Sequence, residues 1–299
     1  MNLAPIVLFV YNRPWHTRQT VEALKNNRFA ADSDLIIYSD GPQNESQAPL
    51  VNEVRNYIKT LDGFKSINII EHKNNLGLAN SIITGVTEVI KQYQKVVVLE
   101  DDLVTSSFFL KFLNDGLNVF QDEQDVISIH AYFYPVRNII QLPETFFLKG
   151  AECWGWATWK RGWDLFNPNG AELLNELKMR KLTNSFDFQG ALKYTEMLSR
   201  QIKGLNDSWA IRWQASAFVQ NKLTLYPKHS LVKNIGSDLS GTHSGKTNKF
   251  DVEILEREIE VTKIPIVENM TAKYELMKYY HDTNPSLLAK IGNKLKTMF

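Results

Sequence analysis

The sequence has one cysteine, Cys153, so it cannot form an internal disulfide or a metal site built from several cysteines. It has no run approaching the ~18 consecutive apolar residues that a membrane-spanning helix needs. Residues 1–20 lack the basic and then apolar pattern of a secretory signal. These absences predict a protein of a reducing cytoplasm.

An excess of charge of either sign is also missing. The chain carries 34 Lys and Arg against 33 Asp and Glu, a net charge of +1. Nucleic acid attracts strongly basic surfaces, so this balance argues against a nucleic-acid partner. The 299 residues, 43% of them hydrophobic, are enough for one large domain or two small ones.

Four short apolar runs in the first part of the chain are typical of buried strands. They are Ile6–Val10, Leu35–Tyr38, Ile67–Ile70 and Val96–Leu99. Their starts lie about 30 residues apart, the length of a βαβ unit, and apolar residues at helical spacing lie between them. This pattern predicts an α/β protein with a doubly wound, mainly parallel or mixed sheet flanked by helices. No GxGxxG follows a strand, which argues against a Rossmann dinucleotide fold.

The second part of the chain is aromatic, with six of the seven tryptophans between Trp154 and Trp213. Apolar spacing predicts helices over about 171–181 and 188–203, a third helix from 208, and strands at 223–226 and 230–233. No Pro- or Gly-rich linker is present, so we expect a single compact unit. Within it we distinguish residues 1–130, 131–250 and 251–299, the last as a helical tail.

Polar residues follow each predicted strand of the first part. Arg13 follows the first strand, Asp40 the second, Asn75 lies beyond the third, and Glu100–Asp102 close the fourth. Ligands of open α/β sheets bind beyond the carboxyl ends of the strands. A single polar strand end is as readily a turn that reaches solvent, but four on one edge favour a binding site.

The three adjacent carboxylates of Glu100–Asp102 repel one another unless a cation or buried donors compensate them. Carboxylate oxygens suit Mg²⁺ or Mn²⁺, which complete their coordination with substrate phosphates and water. That chemistry fits an enzyme whose leaving group is a nucleoside diphosphate. The alternative is an acidic turn that caps a following helix at Thr105-Ser106.

Three segments resemble the glycosyltransferases of the GT-A fold, and among them the N-acetylglucosaminyltransferase I family and its bacterial relatives. They are Pro5–Arg13, Tyr38–Gly41, and Val96–Leu103 with Phe108-Phe109 downstream. The resemblance runs from about Pro5 to His243. It implies that residues 1–130 bind the nucleotide sugar and that residues 131–250 bind the acceptor and carry out catalysis.

The resemblance also implies roles for the residues of this edge. Asp102 would contact the metal, Asp101 and Glu100 would face the ribose and the donor sugar, and Arg13 and Asp40 would hold the diphosphate and the base. We place Asn75 with the nucleotide-sugar-binding residues.

His243, in a Gly-flanked loop, resembles a histidine that many GT-A enzymes bring to the metal or diphosphate. The alternative is an exposed loop histidine. The segment Gly241–Thr247 is not a P-loop, because only three residues separate its glycines.

Further along, the resemblance makes Asp207, shortly before Trp209, the catalytic base. A fixed carboxylate there can take the proton of an attacking hydroxyl. The alternative is that Asp207 caps the helix that follows. Trp156 and Trp209 are candidates to bind the acceptor sugar, although most large aromatic residues are core residues, and about two of the four tryptophans 154, 156, 159 and 163 should be buried.

Together these observations predict a metal-dependent, inverting glycosyltransferase. It would use Mn²⁺ or Mg²⁺ to move a sugar from a UDP-linked donor, such as a GlcNAc-type donor, to a hydroxyl of a glycan or lipid-linked glycan, as in a bacterial surface polysaccharide. One alternative is a sugar-phosphate nucleotidyltransferase, which would want a glycine-rich loop that Tyr11–Pro14 does not provide. The other is a non-catalytic nucleotide- or glycan-binding protein of the same fold.

The end of the chain, from Leu287, places apolar residues on one helical face and lysines 290, 294 and 296 elsewhere. Such a helix can lie on an anionic membrane, which would make the protein peripheral at the inner face of the membrane. It can equally pack on its own domain.

Overall fold

The computed structural model describes residues 3–238 and 247–283. Within these ranges the strands are β1 (Ile6–Val10), β2 (Asp34–Ser39), β3 (Ser66–Glu71), β4 (Lys95–Glu100), β5 (Leu103–Thr105), β6 (Val126–His130), β7 (Thr145–Lys149), β8 (Trp156–Trp159), β9 (Leu223–Pro227) and β10 (Val232–Asn234). The α-helices are α1 (Pro14–Lys25), α2 (Ala48–Ile58), α3 (Leu78–Tyr93), α4 (Phe109–Val119), α5 (Lys160–Trp163), α6 (Gly170–Met179), α7 (Thr183–Phe186), α8 (Tyr194–Ile202), α9 (Trp209–Val219) and α10 (Met270–Thr283).

Eight of the strands form one mixed sheet in the order β3-β2-β1-β4-β8-β6-β9-β7. The first four strands run parallel to one another. Strand β8 is antiparallel to both β4 and β6, β9 is parallel to β6, and β7 closes the sheet antiparallel to β9. The two remaining strands, β5 and β10, pair antiparallel as a separate ribbon. This architecture confirms the predicted α/β fold with a mixed, mainly parallel sheet flanked by helices.

Strand β1 shows why its sequence is apolar throughout. Ile6 and Leu8 pack into the hydrophobic cluster that holds Val21 of α1 and Val54 of α2. Val7 belongs instead to the cluster that holds the buried face of α3. Because successive side chains of a strand point to opposite faces, a strand covered on both sides needs apolar residues at every position. The four strands predicted in the first part of the chain are all present.

The predicted helix over 188–203 is interrupted, which corrects that part of the expectation. The chain turns at Phe188 and Gln189, whose φ angles of 49° and 55° lie in the left-handed region, and the helix proper is α8. The turn lets Phe188 bury its ring in the core. Asp187 then accepts a hydrogen bond of 2.7 Å from the Thr195 amide at the start of α8.

The sheet joins the two parts of the chain distinguished in the sequence, because β4 of the first pairs with β8 of the second. The predicted helical tail starts later than expected, because residues 251–269 are not helical and the helix described there is α10. In α10, Ala272, Leu276 and Tyr280 are buried against the core. Residues 287–299, and with them the predicted membrane-binding face, lie outside the described residues. None of the helices described here has the length and apolar character that crossing a membrane requires.

Candidate functional site

The parallel strands β1 and β4 are neighbours, so the residues that follow them meet at one edge of the sheet. Arg13, which ends the loop after β1, donates from Nη2 to Asp102 Oδ2 at 2.9 Å and also to Asp101 Oδ1. Asp101 is held from behind by the buried Thr20 hydroxyl, which donates to its backbone carbonyl at 2.9 Å. The structure therefore brings Arg13 together with the acidic triplet, as the sequence predicted.

The acidic triplet, Glu100–Asp102, is electrostatically crowded. Burial, followed by the neighbouring charges of Asp102 and Asp101, raises the pKa of Glu100 to about 8. Burial also raises the pKa of Asp101, against the opposing effect of Arg13. Burial by itself would lower the pKa of the Arg13 guanidinium. The charges of Asp101 and Asp102 and their hydrogen bonds outweigh this effect, so the pKa is raised above its ordinary value. A further cation at this edge would relieve the remaining repulsion.

The segment after β10 closes over Asp102. The Ile235 amide donates to the Asp102 carbonyl at 2.8 Å, and Asn234 Nδ2 lies 3.5 Å from Asp102 Oδ1. A Cβ atom on Gly236 would lie 2.1 Å from Asp102 Oδ2 and 3.0 Å from Arg13 Nη1. Gly236 thus allows the backbone to approach the carboxylate and the guanidinium closely, a contact for which the sequence carried no signal.

A divalent cation fits the donor chemistry of this edge. Asp102 presents hard carboxylate oxygens, of which Oδ1 has a hydrogen-bond neighbour at the outer limit of bonding distance. The residues described contain no group of three or more His, Cys, Asp or Glu side chains arranged to hold a metal. An ion at Asp102 would take its remaining ligands from water and substrate phosphates, as Mg²⁺ commonly does.

Asp40 and Asn75 are brought together, and Asp40 acts as an anchor between two loops. Its carboxylate accepts hydrogen bonds from Asn75 Nδ2 at 3.1 Å, from the Leu76 amide at 2.9 Å and from the Gly77 amide at 2.9 Å. Asn75 also donates to the Gly41 carbonyl at 2.8 Å. These bonds fix the loop before α3 beside the end of β2, so residues 75–77 are held next to Asp40 on this side of the edge.

Trp156 and Trp209, which the sequence offered for the acceptor, lie in the core instead. Trp156 is 0% exposed and Trp209 3% exposed, and their rings stack with centroids 5.7 Å apart. Trp163 and Trp213 complete the cluster. Large flat rings bury much apolar area, which explains their place between α3, β8 and α9. Of the four tryptophans 154 to 163, three are buried rather than two, and Trp154 is partly exposed.

Asp207 is exposed at the start of α9. The cap of that helix is Ser208, whose hydroxyl accepts a hydrogen bond from the Ile211 amide at 3.3 Å. The alternative of a capping role for Asp207 therefore does not hold, and its role as catalytic base stays a prediction.

His243 lies outside the described residues. Asp238, five residues before it in the sequence, lies 3.1 Å from Nε2 of His16, a buried residue of α1.

A second polar group, Glu152, lies near this edge and was not predicted from the sequence. Glu152 lies before β8 in an otherwise apolar and aromatic stretch, and it receives a hydrogen bond of 3.0 Å from the Tyr194 hydroxyl. A lone acid in a loop gives no periodic signal, so its contact with a helix 42 residues away becomes visible only in the fold.

No family model matches the chain, and a search of curated proteins found no match either. Among solved structures, the mannosyltransferase PcManGT from Pyrobaculum calidifontis, in complex with GDP-Man and Mn²⁺, shares 14% identity over 44% of this chain at a TM-score of 0.35. S. aureus TarS 1-349 in complex with UDP-GlcNAc shares 14% identity over 42% of this chain at a TM-score of 0.30. The matches cover 36% and 33% of those two chains.

A UDP-glucose pyrophosphorylase in complex with UDP-glucose also matches, with 10% identity over 75% of this chain and 90% of its own and a TM-score of 0.38.

Proposed function

We propose that the protein is a metal-dependent glycosyltransferase that moves a sugar from a nucleotide sugar, UDP-linked by preference, to a hydroxyl of a glycan acceptor. One observation carries the proposal. At the carboxyl ends of β1 and β4, Arg13 is paired with both Asp101 and Asp102 beneath the backbone of Gly236. One fixed cation beside two paired aspartates leaves an excess of negative charge, which supports a site for a metal and a diphosphate together.

The residues of this edge divide the donor between them. Asp102 would hold Mn²⁺ or Mg²⁺, which when bound offsets the negative charge that develops on the departing diphosphate. Arg13 offsets the same charge from the protein side. Glu100 and Asp101 face the ribose and the donor sugar, and the loops that Asp40 and Asn75 hold together bind the base.

The transfer itself needs a base on the acceptor side. The acceptor oxygen forms a bond to the anomeric carbon of the donor sugar, while the bond from that carbon to the diphosphate oxygen breaks and the nucleoside diphosphate leaves. We assign the acceptor proton to the Asp207 carboxylate. Attack opposite the leaving group inverts the anomeric configuration, which is the outcome expected for this proposal.

Calorimetry with UDP tests the donor site. The wild-type protein should bind UDP more tightly when Mn²⁺ is present, and Asp102→Ala should lose that metal-dependent gain while it stays folded, because relief of acidic crowding offsets the lost contact. Asp62→Ala is the matched control, since it removes an exposed carboxylate that pairs with Lys25. Asp62 precedes β3, at the end of the sheet opposite the site. Unchanged Mn²⁺-dependent affinity in Asp102→Ala would contradict the assignment.

Product analysis separates the three candidate functions. A glycosyltransferase releases UDP from UDP-sugars when Mn²⁺ and an acceptor are present. A sugar-phosphate nucleotidyltransferase instead forms UTP and a sugar 1-phosphate when pyrophosphate is added. Binding of UDP-sugars without either product would favour the non-catalytic alternative.

A further inference from the structure

A cavity of about 270 Å³ lies between the end of β6, residues 151–154 before β8, and helices α8 and α9. Aromatic side chains form much of its wall, and the lining includes His130, Tyr132, Glu152, Trp154, Tyr194 and Tyr280. Its volume lies just below the ~300–1,000 Å³ of pockets that take drug-sized ligands, which suits a single sugar ring rather than a nucleoside diphosphate. The described lining residues include no Lys or Arg, so the cavity does not suit a phosphate.

Glu152 is the one acid among these described lining residues. Its Oε1 accepts the hydrogen bond from the Tyr194 hydroxyl at 3.0 Å, and its side chain is enclosed by protein but partly accessible from the cavity. Burial raises the pKa of Glu152 to about 7, so near neutral pH the carboxyl can either accept or donate a hydrogen bond. A buried acid of this kind needs polar partners, which the hydroxyl groups of a sugar supply.

The backbone around Glu152 is fixed on both sides. Gln214 of α9 accepts a hydrogen bond from the Ala151 amide, and His130 Nε2 accepts one from the Trp154 amide at 3.1 Å. Burial lowers the pKa of His130 to about 3, so its ring is neutral and Nε2 is available as an acceptor. The acid is therefore held in place before any ligand arrives.

The cavity lies next to the acidic edge of the sheet. Strand β8 runs antiparallel to β4 with Trp156 opposite Val98, so residues 151–154, which precede β8, lie toward the end of the sheet at which β4 ends in Glu100. Burial, followed by the charges of Glu100, Glu152 and Asp102, raises the pKa of the Cys153 thiol, which also lines the cavity.

We propose that this cavity binds one pyranose ring of the substrates, with Glu152 hydrogen-bonded to its hydroxyl groups and with aromatic rings against its apolar face. The inference rests on the proposed function, because it places the ring beside the donor site. The partly exposed Trp154 supplies the aromatic face, and the buried Tyr132 ring packs edge to face against it with centroids 4.9 Å apart. The ring can come from the donor or from the acceptor, and the experiment distinguishes the two.

The test compares the wild type with Glu152→Gln and Tyr194→Phe in calorimetry. Glu196→Gln, which changes an exposed acid of α8, is the control. UDP with Mn²⁺ probes the donor site alone, UDP-glucose and UDP-GlcNAc probe the donor sugar, and methyl glucosides and methyl N-acetylglucosaminides at millimolar concentration probe the acceptor.

We expect Glu152→Gln to keep its UDP affinity within about twofold, since no hydrogen bond to the edge is removed. A hydrogen bond to a charged group typically contributes enough for a change of about tenfold or more in affinity. If the ring belongs to the donor, the affinity of Glu152→Gln for UDP-sugars relative to UDP should be about tenfold or more lower than that of the wild type. If the ring belongs to the acceptor, the loss appears with the methyl glycosides. Tyr194→Phe should show a smaller loss in the same arm, and Glu196→Gln none.

Wild-type affinities for every sugar in a folded Glu152→Gln protein that binds UDP normally would overturn the inference. The same holds if no probe sugar adds affinity in the wild type. If the wild type shows no Mn²⁺-dependent UDP binding, the proposed function fails instead, and the methyl glycoside arm decides the cavity by itself. Should Glu152→Gln fail to fold, Tyr194→Phe decides, and unchanged sugar affinity there overturns the inference.

Discussion

The contacts of two residues near the candidate site could not be predicted from the sequence, for physical reasons. Gly236 matters because its missing Cβ leaves room for Asp102 Oδ2, and Glu152 because a helix distant in the sequence brings Tyr194 to it. Arg13 and Asp102, by contrast, could be predicted, because parallel strands bring their following residues to one edge. Local patterns report which residues end a strand, but not which loop returns to cover them.

Gly236→Ala should weaken donor binding with little effect on stability. The new Cβ would meet the ends of two flexible side chains, Asp102 and Arg13, which can move away but then lose their pairing. Loss of a hydrogen bond to a charged group corresponds to about 10- to 100-fold in the Mn²⁺-dependent affinity for UDP. Calorimetry with UDP and Mn²⁺ measures this change.

Gly204→Ala serves as the comparison for Gly236→Ala. Nothing lies within 4 Å of a Cβ at Gly204, but its φ of 68° is left-handed, so alanine there should cost about 1 kcal/mol of stability and leave UDP affinity unchanged. Equal UDP affinities for the two variants would show that the close approach at Gly236 is unimportant for binding.

The buried acid Glu152 should make stability depend on pH. Its pKa is about 7 in the folded protein against an ordinary value of 4.5, so the folded state holds more protons than the unfolded state between these values. The contribution of Glu152 to the free energy of unfolding therefore falls as the pH rises from about 4.5 to about 7, by at most about 3 kcal/mol. Glu100, whose pKa is raised to about 8, titrates over an overlapping range, so the contribution of Glu152 is measured as the difference from a variant that lacks its carboxyl. Tyr194, Cys153 and His130 do not titrate in this range, because burial raises the pKa of Tyr194 and of Cys153 and lowers that of His130 to about 3.

Glu152→Gln removes the titration, so the stability of the variant relative to the wild type should grow from pH 4.5 to pH 7 and then stay level. Urea unfolding at a series of pH values measures the difference. A gap between the two proteins that does not change with pH would mean that the carboxyl of Glu152 titrates normally.

At the scale of the element, the start of α9 separates a stabilising residue from the proposed base. Ser208→Ala removes the hydroxyl that accepts from the Ile211 amide and should cost about 1 kcal/mol of stability, with transfer at the remaining folded protein unchanged. Asp207→Asn should leave the unfolding midpoint near that of the wild type but reduce the transfer rate about 100- to 10,000-fold, with UDP affinity kept within a few-fold.

Thermal unfolding and the rate of UDP release with acceptor present measure the two effects side by side. An Asp207→Asn protein that transfers at more than about a tenth of the normal rate would place the base elsewhere. The anomeric configuration of the product, read by proton NMR, then shows whether the reaction still inverts.

Strands β1, β2 and β4 were predictable because each contains an uninterrupted apolar run, and β3 was predictable from its three isoleucines although Asn68 interrupts them. Strand β8 was not predicted, because it is only four residues long and its tryptophans were candidates for sugar binding as well as for the core. Trp156 belongs to a cluster with Trp209 and Trp213 of α9, a helix about 50 residues farther along. Aromatic residues serve both cores and sugar sites, so their type alone does not decide between the two roles.

At the scale of the whole molecule, the sheet makes the two parts of the chain depend on each other. Strand β4 pairs on one side with β1 and on the other with β8, and β6, which ends at His130, lies between β8 and β9. In a fragment of residues 1–130, one edge of β4 and both edges of β6 would be unpaired. The fragment would also expose Val126 and Ile129, which are fully buried in the whole chain.

We therefore expect the fragment 1–130 not to fold by itself, although it contains the whole acidic triplet and Arg13. An unpaired, apolar central strand exposes both backbone groups and core side chains, which favours association over a unique fold. Urea unfolding followed by circular dichroism should show a cooperative transition for the full chain and none for the fragment, and the fragment should not bind UDP with Mn²⁺. A cooperative transition in the fragment would show instead that the sheet holds two independent folding units and that the donor edge assembles without the second.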